Sequence, residues 1–242
     1  MKAFVLAAGL GTRLKPFTDK HPKCLAKVGG VPLLEAVLRR LARLGVRTVV
    51  VNAHHHAGQV DAFLREKAPA LGLRAEVSFE DPVLETGGGL KKAAPLLRGE
   101  GPVLVYNSDV VTDLDLAALV DVHAGSGALA TLAVLDRPSG RKLTFKDGRL
   151  VGHLTGPELE AFAPRAGLEA LAFSGVHVAS EEFLDLMTEA GVFSLTKAWL
   201  RLAGTGERIA PFRHDGGLWA DVGDPAKLAA ANALVAKHGL PK

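Results

Sequence analysis

Apolar residues in the first half of the chain fall into short continuous runs, separated by segments with a helical repeat. Residues 4–7 form one such run and residues 46–52, rich in valine, form another. Between them Leu34, Val37, Leu38, Leu41 and Leu44 recur every three or four positions, which predicts a helix with one apolar face, ending near Gly45. The alternation continues. Val60, Phe63 and Leu64 predict a second helix, 75–79 a strand, Gly87 to Gly89 the opening of a helix through Leu97, and 103–106 another buried strand. Thr112 or Asp113 is placed to cap the next helix, whose Leu116, Leu119, Val120 and His123 share a face. Unbroken apolar runs suit strands covered on both sides, so the pattern predicts an α/β fold with a mainly parallel sheet between helices.

The second half is less regular. Residues 129–135 and 171–178 read as strands, and 142–145 with 149–152 as a hairpin around Asp147-Gly148. Helices are expected from Ser180 and Ser194, and a last one from Asp224 as cap with Pro225 in its first position. No linker, repeat or low-complexity block divides the 242 residues, so residues 1–242 are read as one domain with ample apolar content, 48%, for a core. The net charge of +3 is well mixed and aromatics make up 5%, which argues against a nucleic-acid surface. Cys24 is the single cysteine, excluding an intrachain disulfide and suiting a reducing compartment. No apolar stretch reaches 18 residues, so no membrane span is expected. Together these predict a soluble, cytoplasmic protein with neither nucleic acid nor membrane as partner.

The chemistry begins where the first strand ends. Leu6 to Arg13 read Leu-Ala-Ala-Gly-Leu-Gly-Thr-Arg, with Pro22-Lys23 following. Gly9 and Gly11 let backbone N–H groups approach a ligand, Arg13 adds a cationic fork and Lys23 a compact ammonium. That combination suits a polyphosphate. It is neither a P-loop, since no Gly-Lys-Ser/Thr follows, nor a dinucleotide fingerprint, since Leu14 replaces its third glycine. Asn107-Ser108-Asp109 directly follows an apolar strand, and Trp219-Ala220-Asp221-Val222-Gly223 offers a second acid. Asp109 and Asp221 are the expected pair for Mg²⁺, which takes one or two protein carboxylates and leaves its other positions to phosphate and water. Asp224, Asp113 and Asp115 have cap readings instead. Glu85-Thr86-Gly87-Gly88-Gly89 is the third piece, read as a ligand-contacting loop with helix N-terminal donors exposed.

These segments, together with Phe173-Ser174-Gly175, occur in the order found in the sugar-1-phosphate nucleotidyltransferases, which the chain resembles over roughly residues 1 to 235. Compact N-acetylmuramate-1-phosphate uridylyltransferases and mannose-1-phosphate guanylyltransferases are the nearest in pattern. The resemblance implies a three-layer, Rossmann-like nucleotidyltransferase fold with a mixed, mainly parallel central sheet. Its nucleotide-binding half would be about 1–125 and its sugar-phosphate-binding half about 126–242. It implies that Gly11, Thr12 and Arg13 hold the triphosphate and that Lys23 bridges the reacting phosphates. Ala8, Gly9, Thr86, Gly87, Gly88 and Asn107 would surround the nucleotide, and Asp109 and Asp221 would hold Mg²⁺. Glu85, Gly175 and Asp221 would meet the sugar phosphate. The implied substrates are an NTP, UTP first, and a sugar 1-phosphate, in cell-wall recycling or surface-polysaccharide synthesis by a monomer or homodimer. GTP with mannose 1-phosphate, CTP with phosphocholine, and a non-catalytic nucleotide sensor are the alternatives.

Two departures from the family stand out. Ser108 occupies the place where many relatives carry glycine, and no Glu-Lys-Pro segment supplies a second lysine for the sugar phosphate; Arg141, Lys142 and Lys197 are the substitutes in view. The proposed reaction needs no general base, because a phosphate monoester is already ionised near neutral pH, its second pKa being about 6. His54-His55-His56 reads as a loop rather than a metal site, since consecutive residues do not converge on one ion. His123 and Trp199 read as core, and Cys24 as a structural thiol although Lys23 beside it favours the thiolate.

Overall fold

The computed structural model describes residues 1–241. The chain begins with β1 (Lys2–Leu6), whose Ala3, Phe4 and Val5 are wholly buried, and after a loop containing short 3₁₀ turns it forms the small hairpin β2 (Lys27–Val28) and β3 (Val31–Pro32). Then come α1 (Leu33–Arg43), β4 (Thr48–Ala53), α2 (Ala57–Lys67), β5 (Arg74–Phe79), α3 (Glu85–Leu97) and β6 (Val103–Asn107). β7 (Val110–Thr112) is followed by α4 (Leu116–Ser126), β8 (Ala130–Leu135), the hairpin β9 (Arg141–Lys146) and β10 (Arg149–Thr155), and β11 (Glu158–Ala161). The long β12 (Glu169–Ala179) leads to α5 (Glu181–Asp185), α6 (Leu195–Gly204), β13 (Ile209–Arg213), β14 (Trp219–Asp221) and α7 (Pro225–His238).

The main sheet is mixed and mainly parallel, as expected. β6, β1, β4 and β5 pair parallel in that order, β8 and β13 pair parallel beyond them, and β12 runs antiparallel between β6 and β8. At its other end β12 pairs with β9, so that β9, β10 and β11 hang from it as an antiparallel leaf. One apolar layer lies between the sheet and α3 and α6, with Trp199, Phe183 and Phe145 at its centre. A second lies under α1, α2 and α4 around Leu34, Leu38 and Leu41. This is the three-layer arrangement that places strand ends β1, β4 and β6 side by side on one rim.

The last helix starts as predicted, with the Asp224 side chain accepting from Lys227 N–H at 2.9 Å, and Ser180 caps α5 in the same way. Of the cap candidates for α4, Thr112, Asp113 and Asp115, the last is the one that serves. Asp115 accepts from Ala118 N–H, because Thr112 is taken into β7 and the Asp113 carboxylate accepts from Leu218 N–H.

Candidate active site

Three loops at the rim are tied together by two buried side chains. Asn52 sits level with Leu6 across the β1–β4 pair, and its Oδ1 accepts from the N–H groups of Ala7 at 2.6 Å and Ala8 at 3.2 Å. Its Nδ2 donates to Glu80 Oε1 at 2.7 Å, and Glu80 Oε2 accepts from Leu84 N–H at 2.8 Å. Glu80 is fully buried, and its carboxylate leaves no room for a Cβ at Gly89. The glycine loop after β1, the end of β4 and the loop before α3 therefore share one hydrogen-bonded brace. Sequence reasoning places Asn52 only as the start of a strand-end loop, residues 52–56, on the ligand side of the sheet, and does not single out Glu80; the available signal is a polar residue closing each apolar strand.

The brace floors a cleft of about 490 Å³. Ala8, Gly9, Glu85, Thr86, Asn107 and Asp109 line it from the expected set, facing Trp199 and Arg141 from the second half. Glu85 holds a left-handed backbone, φ 59°, at the start of α3, a conformation uncommon for a residue with a Cβ.

Beside the cleft the charged residues converge. Gly11 adopts φ 61°, and a Cβ there would lie 2.8 Å from Thr18 and 3.1 Å from the Lys23 side chain, so glycine is what allows Lys23 to pass. The Lys23 ammonium pairs with the Asp109 carboxylate. β7 and β14 form a short antiparallel pair that sets Asp221 opposite Val110, and Val222 N–H donates to the Asp109 carbonyl at 2.9 Å. The two acids thus stand next to one another. Lys227 donates to both Asp221 oxygens, at 2.9 and 2.7 Å, from the first turn of α7. Arg13 and Asp221 both flank Gly223, lying 3.3 and 3.1 Å from where its Cβ would be.

Arg137 joins the group from β8's end. Its guanidinium stacks 3.7 Å from the centroid of the Trp219 ring and donates to the Phe173 carbonyl at 3.2 Å. Burial lowers its pKa while the nearby Asp221 charge opposes that shift, and an arginine remains cationic throughout. Neither Arg137 nor Lys227 was anticipated. Lys142 is occupied by Asp136 at 3.2 Å, whereas Arg141 reaches the cleft wall.

The remaining glycines have packing roles. Gly87 and Gly88 lie inside α3, buried, and their N–H groups donate to the Phe193 carbonyl at 2.9 and 3.1 Å rather than standing open. A Cβ at either would collide with Phe193 or Gly191, so they serve the close approach of residues 191–193 to the helix. Gly175, at φ 86°, packs against Val110 and Asn107 and fixes the position of Asn107. Thr12 is exposed in the turn that carries Arg13. His54 and His55 hydrogen-bond the backbone carbonyls of Glu80 and Thr18, and His123 pairs with Thr131 Oγ1 in the core. Burial pushes the Cys24 thiol up to about 12, outweighing the neighbouring Lys23.

The model of the family described as nucleotidyl transferase matches residues 2–145. The N-acetylmuramate alpha-1-phosphate uridylyltransferase of Caulobacter vibrioides is 38% identical over 240 residues, covering 97% of both chains. The chain belongs to the nucleotidyl transferase family. The protein of the same name from Neisseria meningitidis is 35% identical, over 97% of this chain and 98% of its own. In fold, the inositol-1-phosphate CTP transferase of T. maritima superimposes with a TM-score of 0.77 over 98% of this chain and 95% of that one, at 19% identity. The expectation of a sugar-1-phosphate nucleotidyltransferase is thereby met.

Enzymes of this family generally use a divalent metal. The donor set here fits a hard cation: two aspartates whose backbones are neighbours at the end of the β7–β14 pair, each carboxylate now held by a lysine ammonium where a cation would stand. Among the described residues no group of three or more His, Cys, Asp or Glu side chains could hold a metal, so substrate oxygens and water would complete the shell.

Proposed function

We propose that this nucleotidyl transferase moves UMP from UTP to a sugar 1-phosphate, releasing pyrophosphate, with N-acetylmuramate 1-phosphate as the preferred acceptor and Mg²⁺ as the metal. The observation that carries the reading is the convergence of Lys23, Asp109, Asp221, Arg13 and Arg137 beside the cleft that Ala8 and Gly9 line. The choice of UTP and of the acceptor is supported by the names of the two relatives that match along the full chain.

An acceptor phosphate oxygen attacks the α-phosphorus of UTP in line as pyrophosphate leaves. The nucleophile is already an anion, so the problem is to bring two anions together and hold them aligned. Arg13 and Lys23 meet the triphosphate, and Arg137, close to Asp221, meets the acceptor's phosphate. It takes the part that a second lysine plays in longer relatives. Asp109 and Asp221 would hold Mg²⁺, whose charge when bound would neutralise phosphate oxygens. Gly9 presents its backbone N–H and Ala8 its carbonyl to the base, on a loop positioned by Asn52, which occupies the Ala8 N–H. The Asn52–Glu80 brace spares this loop any reorganisation during the reaction.

The protein works as one domain, with the nucleotide on the first half and the acceptor on the second. We place it in the cytoplasm, consistent with its lone buried thiol. Among the described residues no helix is long and apolar enough to cross a membrane. The test is pyrophosphate release with Mg²⁺, four NTPs, a panel of sugar 1-phosphates and phosphocholine, with Asp109→Ala as blank. Release from UTP and sugar 1-phosphate that disappears in the variant is expected. Release with phosphocholine and CTP alone, or none with any pair, overturns the reading.

A further inference from the structure

A second cavity of about 260 Å³ adjoins the reaction cleft, and the two share Arg141, Phe173 and Thr196 as walls. It is lined by Arg137, Arg141, Lys142 and His153 and by no acidic residue. Carboxylates outside it take up part of that charge: Asp136 pairs with Lys142 at 3.2 Å, and Glu160 stands 3.9 Å from His153. Arg141 is different. Its backbone is fixed at the start of β9, where Ser139 Oγ donates to its carbonyl at 2.7 Å and Thr155 stands opposite it in β10. Its guanidinium, by contrast, has no carboxylate partner among the described residues.

Two guanidinium groups on the acceptor side form no ion pair among the described residues, and although both line this cavity they differ in what else they touch. Arg137 is drawn toward Asp221 and Trp219, where the reacting phosphates meet. Arg141 stands in the wall between the cleft and the basic cavity. A sugar 1-phosphate has one phosphate to satisfy, which leaves Arg141 over. An arginine fork with hydroxyls nearby, here those of Thr155 and Thr196, matches a planar carboxylate.

We infer that the cavity behind Arg141 is an acceptor-selecting subsite, which reads a carboxylate on the sugar in addition to its phosphate. The inference rests on the reading above and assigns its acceptor preference to a particular side chain. N-acetylmuramate carries such a group on a lactyl ether, and N-acetylglucosamine, otherwise the same sugar, does not. Arg141 accordingly sets which acceptor is used, not how fast phosphorus is attacked.

The decisive quantity is the ratio of kcat/KM for N-acetylmuramate 1-phosphate to that for N-acetylglucosamine 1-phosphate, measured with UTP and Mg²⁺. Arg141→Gln is expected to lower this ratio about 10- to 100-fold, the usual size of a lost hydrogen bond to a charged group. The loss should fall mainly in KM. Arg141→Lys, which keeps the charge without the fork, should retain part of the preference, and Lys142→Gln should change it less because Asp136 already engages that ammonium. A ratio unchanged in Arg141→Gln, or equal losses with both acceptors, overturns the inference while leaving the nucleotidyltransferase reading intact. If the wild-type enzyme turns over neither acceptor, the reading beneath it fails and the inference falls with it.

Discussion

Asn52→Asp is the sharpest probe of the brace beneath the cleft. The substitution keeps size and shape, and it keeps an acceptor for the Ala7 and Ala8 N–H groups. It replaces the amide that donates to Glu80 Oε1 at 2.7 Å with a second carboxylate. Glu80 is fully buried and Asn52 nearly so, at 2% exposure, so solvent does little to screen the repulsion. Losing a hydrogen bond to a charged group and leaving its partner unsatisfied costs about 2–4 kcal/mol near neutral pH. At ~2–4 °C per kcal/mol for a chain of this size, the melting temperature should fall by ~5–15 °C. Circular dichroism melts would read that fall, and KM for UTP should rise because both base-facing loops loosen. The double variant Asn52→Asp with Glu80→Gln reverses the direction of the bond: the new amide at position 80 donates to the new carboxylate at position 52 and accepts from Leu84 N–H. It should therefore recover most of the loss. If Asn52→Asp melts within a degree or two of wild type with unchanged KM, or if the double variant is merely the sum of its singles, the brace does not act as argued.

Four further outcomes are expected. Lys23→Ala and Asp109→Ala should each lower turnover by about 10²-fold or more, as loss of one preorganised charged contact does, and near-normal turnover in both would remove them from the reaction. Gly175→Ala puts a Cβ 2.7 Å from Val110 at φ 86°, so it should lower both the melting temperature and kcat, the latter through displacement of Asn107. Burial holds the His177 imidazole down to about 3, below its unfolded value of about 6.5, so between those values the unfolded chain binds one more proton. Stability should consequently decline as pH falls through that window, by at most about 1.4 kcal/mol per unit, and His177→Leu should flatten the slope in urea titrations. Cys24, buried with its thiol pushed up to about 12, should react with a thiol reagent at the rate of unfolding and not before.

The nucleotide side was legible because its signals are local. An apolar run ending in Gly-x-Gly-x-Arg fixes a strand, a turn and a cation within a few residues, and Asp224-Pro225 marks a helix start by itself. The pairing of β7 with β14 is another matter. Each strand has three residues, too few for a period to show, yet their ladder is what sets Asp221 beside Asp109. The glycine run reads as a ligand-contacting loop that opens a helix, and within a helix glycine costs stability. Inside α3 that penalty is outweighed by the close approach of Phe193, whose contact with Gly87 depends on tertiary packing far along the chain. Arg137 was hidden for the same reason: its role comes from stacking on Trp219, and nothing adjacent in sequence announces a partner beyond the next several dozen residues. Asn52 and Glu80 look like ordinary polar strand ends until the parallel register of β1, β4 and β5 brings them under one loop.

The way β12 divides its pairing has a consequence for how such enzymes diversify. Its first residues, Glu169 to Leu171, carry the β9–β11 leaf, while Ala172 to Ala179 are locked into the main sheet between β6 and β8, with an irregular register between Phe173 and His177. Leu143, Phe145 and Leu150 pin the leaf's inner face to the layer under α6, so it is a page glued on one side. Its outward residues, and the margin at Arg141 and Thr155 beside the chemistry, can be rewritten or recharged without disturbing the alignment of Lys23 with Asp109. New acceptors can be tried on a machine whose phosphorus chemistry stays fixed.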